Sequence, residues 1–106
     1  VIFKPEVNLA LQPDMAKALP LIELAHHDMD LDRGAVITSA NDGTHMVGSL
    51  HYAGLAVDIR TRDLAPATIA QLAAKLRAHL NGQENTNRPY QVVLETDHVH
   101  VEYQPL

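Results

Sequence analysis

The chain has 106 residues, no cysteine, 46% hydrophobic residues and a formal charge of −5 from 13 acidic and 8 basic side chains. That length supports one domain with a modest core that needs no staples, and the lack of cysteine excludes disulfides and leaves only nitrogen and oxygen donors for a metal. There is no basic run for nucleic-acid phosphates, no apolar stretch near the roughly 18 residues that span a bilayer and no signal-like opening, although Val1 in place of Met points to a processed or trimmed N-terminus.

In chain order, Val7 to Leu11 alternates weakly and reads as a short strand or an extended entry. Pro13 suits the first turn of a helix. Met15, Ala18, Leu19, Ile22 and Ala25 follow with helical spacing. Pro20 interrupts them and should kink or split the helix, because proline lacks the donor and crowds the preceding turn. His26 and His27 close the segment, where the helix dipole favours imidazole. Ala35 to Thr38 is β-prone, and Asn41-Asp42-Gly43 marks a loop. Leu55 to Thr61 alternates as a strand, with Leu55, Val57 and Ile59 towards the core and Ala56, Asp58 and Arg60 on the other face.

Pro66 opens the clearest helix. Its apolar stripe is Ile69, Leu72, Ala73, Leu76 and Leu80, and Asn81-Gly82 supplies the stop. His79 lies in its last turn, again favoured by the dipole. Gln83 to Pro89 reads as a loop. Tyr90 to Leu94 and His98 to Tyr103 form a hairpin around Glu95-Thr96-Asp97. In the last strand His98, His100 and Glu102 share a face, opposite Val99, Val101 and Tyr103. The sum is one α+β domain over residues 1–106, a small, mostly antiparallel sheet with helices packed on one face. No heptad or long apolar patch argues for an oligomer, so a monomer is expected.

Seven histidines are many for this length, and their placement carries the chemistry. The segment Ser49-Leu50-His51-Tyr52-Ala53-Gly54-Leu55-Ala56-Val57-Asp58 is answered near the C-terminus by Asp97-His98-Val99-His100. Imidazole nitrogen with carboxylate oxygen suits zinc. Three such ligands leave a position open for water, and a fourth group can serve as base. Gly54 provides a bend that lets His51 and Asp58 converge. Asp97 falls out of line with His98 and His100 on a regular strand but sits in the turn, where the alternation breaks. The plainer alternative pairs Asp58 with Arg60 or a surface lysine and leaves His51 as a loop residue.

The string Ser49-x-His51-x-x-Gly54-x-Ala56-x-Asp58, followed by Asp97-x-x-His100, resembles the signature of the M15 zinc peptidases. These include D-alanyl-D-alanine carboxypeptidases and the L-alanyl-D-glutamate endopeptidases of phage lysins, and they share a fold with the amino-terminal domain of Hedgehog proteins. The resemblance covers about Ile37 to Glu102. It implies a Hedgehog/DD-peptidase-like fold with zinc (Zn2+) held by His51, Asp58 and His100. It also implies Asp97 as the catalytic acid/base and Ser49 as a substrate contact. The expected reaction is hydrolysis of an amide in the stem peptide of peptidoglycan by a metal-activated water. The expected place is the bacterial cell wall, reached as a phage lysin, in a virion or by secretion.

The chain departs from the family at Ser39-Ala40-Asn41-Asp42, where many members carry Ser-Gly-Tyr-Arg with a substrate-binding arginine. Arg60 or His98 is the candidate replacement, and His45, in the loop from Asp42 to Gly48, is a further candidate for the cleft. The missing arginine also admits a different class of protein, a zinc-bearing module that binds a wall peptide or a protein without cleaving it. A third reading is a small acidic domain without metal, its histidines incidental.

Overall fold

The computed structural model describes residues 1–5, 7, 10–31, 33–40 and 54–104. Five strands and three helices run in the order β1 (Ile2–Phe3), α1 (Pro13–Ala16), α2 (Ala18–Asp28), β2 (Val36–Ser39), β3 (Ala56–Arg60), α3 (Pro66–Asn81), β4 (Tyr90–Leu94) and β5 (His98–Tyr103). They build an α+β domain on one five-stranded sheet with spatial order β1-β2-β3-β5-β4. Among the described residues only β1 and β2 pair in parallel, and the other pairings are antiparallel. Thus β5 is inserted between β3 and β4, and α3 makes the crossover between those two parallel strands.

The period-two reading of the strands accounts for the core. Val57 and Ile59 of β3 meet Val99 and Val101 of β5, Ile37 of β2 and Val92 of β4 in one buried cluster. Ile22 and Ala25 of α2 and Leu72, Ala73 and Leu76 of α3 complete it. Removing this apolar surface from water is the main favourable term, at about 25 cal/mol per Å². The stripe of α3 falls where its spacing places it, with Ile69 packed at the margin, and Gly82 ends the helix in the left-handed conformation at φ 87°.

Several elements differ in detail from their sequence pattern, and Val7, Ala10 and Leu11 fit an extended entry better than a strand. The first strand is Ile2–Phe3, while Val7, Ala10 and Leu11 lie in no strand. The short apolar pair has no sequence period to betray it, and its pairing with Val36 and Ile37 is supplied by the distant β2. The first helix does split, but at Lys17 rather than at Pro20. Pro20 falls in the first turn of α2, where a missing N–H costs nothing within the helix. A continuous helix would instead have put its ring against the carbonyl of Ala16.

The helix-end histidines are also more committed than a dipole contact requires. His26 is buried, 1% exposed, and its Nδ1 lies 2.8 Å from the carbonyl of Ile22. Burial pushes its pKa down, so it sits in the core as neutral imidazole. His79 Nε2 reaches Asp28 Oδ2 at 2.6 Å, tying the end of α3 to the end of α2.

Gly54 precedes β3 with φ 74°. A Cβ there would stand 2.6 Å from the carbonyl oxygen of Ala10, and Gln12 donates its N–H to the Gly54 carbonyl at 2.8 Å. The glycine therefore fixes the entry to β3 against the segment before α1, where the sequence suggested a flexible bend.

Candidate metal and substrate site

Strands β3 and β5 pair in strict antiparallel register. Asp58 stands opposite His100, Arg60 opposite His98 and Ala56 opposite Glu102. Their in-between neighbours Val57, Ile59, Val99 and Val101 go to the core, so these six occupy the other face of the sheet. The ladder thus brings together residues 42 positions apart: His100 Nδ1 lies 3.0 Å from Asp58 Oδ1.

The second nitrogen of His100 is engaged as well. Nε2 lies 2.7 Å from Glu102 Oε1, and the side-chain amide of Gln104 donates to Glu102 Oε2. His98 Nδ1 contacts Asp97 Oδ1 at 2.8 Å, and its Nε2 stands 3.7 Å from Asp58 Oδ1. Two carboxylate–imidazole pairs therefore converge on Asp58, one through each histidine.

Burial separates the roles of the carboxylates. Asp58 is buried and its partner His100 nearly so, whereas the Asp97 side chain is 68% exposed. For His100 the largest single influence is burial, which pulls the pKa down. Hydrogen bonds to Asp58 and Glu102 outweigh it and leave the pKa raised. The His98 hydrogen bond holds Asp97 below the usual carboxylate range, so Asp97 is ionised and able to accept a proton at neutral pH.

Asp58 and His100 have the donor chemistry for zinc. Donors about 2.0–2.1 Å from a tetrahedral zinc stand about 3.3–3.4 Å from each other, so the 3.0 Å pair has only to open slightly. Among the described residues no group of three or more His, Asp or Glu side chains is arranged to hold a metal ion. The third ligand in the sequence reading, His51, lies outside the described residues, as do Ser49 and His45.

Beside this pair an open cleft of about 240 Å³ is lined by Lys4, Thr38, Arg60, Arg62, Asp97 and His98. It runs over the same sheet face, from the end of β1 to the turn before β5. Arg60, His98 and Asp97 were singled out from the sequence and share this cleft. Lys4 and Arg62 were not, because nothing in their local pattern connects the two chain segments. Glu102 was assigned to the correct face by its period but given no part. Its role depends on the tilt of the His100 ring, which no spacing records.

No protein-family model matches this chain, and no curated protein matches it.

Proposed function

We propose that this chain is a zinc-dependent peptidase that hydrolyses an amide bond in peptidoglycan stem peptides, with the Hedgehog/DD-peptidase-like fold that its motif implies. The observation that carries the reading is the contact of Asp58 with His100. Two residues of a sequence signature meet across adjacent strands, and the candidate base of the same signature lines the cleft next to them.

On this reading His51, Asp58 and His100 would hold the ion. When bound, zinc would supply a Lewis acid and lower the pKa of water to about 7. Asp97, ionised and accessible, takes the proton of the attacking water and delivers it to the leaving amine. Glu102 holds the Nε2 side of His100, which keeps Nδ1 turned to Asp58. Such carboxylate–histidine pairs orient a metal-binding imidazole and raise its basicity. Arg60 and His98 stand in the cleft with Asp97 and are the groups able to stabilise negative charge on the carbonyl oxygen. The site of action is the bacterial cell wall.

Mass spectrometry of peptidoglycan fragments tests this directly, comparing zinc-loaded protein with a chelator-treated control. A new amine terminus or loss of a terminal D-alanine, abolished by chelation, is the expected outcome. Intact fragments with protein that holds one zinc would refute catalysis and favour the non-catalytic binding module, the alternative left open by the missing family arginine.

A further inference from the structure

Among the described residues β4 is the last strand of the sheet, at the opposite end from β1. Its sequence, Tyr90-Gln91-Val92-Val93-Leu94, is β-prone, uncharged and free of proline. An open edge of that composition invites pairing with another chain. The strand has no charged residue to blunt it, and its register against β5 runs without a bulge. The other edge, β1, is two residues long, and shortness is itself a safeguard. The direction of the backbone groups on β4 is set by its pairing with β5. Gln104 donates its N–H to the Pro89 carbonyl and Glu95 donates to the His98 carbonyl, so the odd positions face β5. Tyr90 and Val92 therefore turn their N–H and C=O groups to the open edge.

Side chains take all four of those groups. The Tyr90 N–H donates to Asn81 Oδ1 at 2.9 Å, and Asn81 Nδ2 donates to the Tyr90 carbonyl at 2.8 Å. The Asn81 amide thus pairs with Tyr90 as a peptide group of a neighbouring strand would. The Val92 N–H donates to Asn87 Oδ1 at 2.7 Å, and Arg77 donates to the Val92 carbonyl at 3.3 Å. The match has a geometric cause. Arg77 and Asn81 are four positions apart on α3, about 6 Å along the helix. Val92 and Tyr90 are two positions apart on β4, roughly 6.6–6.8 Å along the strand. One turn of α3 therefore covers one repeat of the edge. The packing of α3 does not need these side chains, because Leu72, Ala73, Leu76 and Leu80 are the residues it buries.

We propose that Arg77, Asn81 and Asn87 lock the outer edge of β4 against strand addition, and that an unlocked β4 pairs with the β4 of a second copy. An antiparallel edge is complementary to itself about a twofold axis, and Leu94, 45% exposed at the end of the strand, adds apolar area to such a contact. The proposal is independent of the peptidase reading, since none of the three residues lines the cleft.

Amide hydrogen exchange read by NMR tests the lock on the unaltered chain. The Tyr90 and Val92 amides are expected to exchange at least about 100-fold more slowly than free amides, although they lie on an edge. N87A should speed the Val92 amide about tenfold relative to Gln91 and Val93, and N87D, which keeps the acceptor oxygen, should restore it. Sedimentation velocity then reads association. The double variant R77M/N87A is expected to self-associate at least about tenfold more tightly than the unaltered chain. Asn81 is left in place because it also holds the Thr86 carbonyl at 2.7 Å. Adding Leu94→Lys, which puts a charge on the opened edge, should return the double variant to monomer. Should R77M/N87A fail to fold, N87A alone carries both measurements, with N87D as its control. Fast exchange of Val92 in the unaltered chain would overturn the proposal. So would a variant that stays monomeric with its Val92 amide exposed, or association that Leu94→Lys does not reverse.

Discussion

Replacing Glu102 with Gln is expected to weaken zinc binding by about 10- to 100-fold at about pH 8. Gln keeps the length and an acceptor oxygen, so the change isolates the charge. The contact is short, 2.7 Å from His100 Nε2, and both side chains are well shielded, 17% and 14% exposed, so solvent screens it little. A hydrogen bond to a charged group contributes about 1.5–3 kcal/mol, which is about 10- to 150-fold in an equilibrium constant. Carboxylates that support a metal-binding imidazole typically contribute about 10- to 100-fold to affinity, so the two routes agree. A second effect has the opposite sign. Glu102 also helps to raise the His100 pKa, and protons compete with the metal for that ring. As pH falls, the wild type loses more affinity to protonation than the variant, so the deficit should narrow at about pH 6. Competition against a chromophoric chelator at the two pH values reads both effects, with circular dichroism as the check on folding. Equal affinity of the two proteins at about pH 8 would refute the role given to Glu102. So would a deficit that fails to narrow on acidification, which would mark structural damage instead.

Asp97→Ala should retain zinc and lose about 10²–10⁴-fold in turnover, whereas His51→Ala should lose zinc and turnover together; zinc content measured beside kcat separates the two. Gly54→Ala should destabilise the fold by at least about 1–3 kcal/mol, since φ is 74° and the added Cβ would lie 2.6 Å from the Ala10 carbonyl; a denaturant midpoint near that of the wild type would show that the loop yields. Leu76→Ala, at a fully buried position, should cost about 2–5 kcal/mol, read by the same denaturant titration. The Arg33 guanidinium holds Asp63 down at a pKa of about 2. A depressed carboxylate stabilises the fold above its unfolded pKa of about 3.9 and loses that contribution as pH falls through about 2. Arg33→Met should therefore flatten the stability-versus-pH curve in that window, and an unchanged acid limb would show that the pair does not contribute.

Local pattern was enough for much of this architecture. The α3 stripe, its glycine stop and the β4–β5 hairpin all follow from apolar spacing and turn residues, because each lies within one short stretch where helix and strand periods are unambiguous. The alternation of β3 and β5 likewise assigned Asp58, Arg60, His98, His100 and Glu102 to one face. The motif put Asp58 and His100 in one site without showing how they meet. What only the tertiary structure decided is pairing between distant segments. The insertion of β5 between β3 and β4 sets Asp58 against His100, and the docking of β1 on β2 brings Lys4 to Arg60 and Arg62. It also decided that His26 is a core residue and that His79 binds Asp28, where the sequence offered only helix ends. A strand's period records which way each side chain faces. It does not record the neighbour on the next strand, because that is set by packing energy summed over the whole sheet.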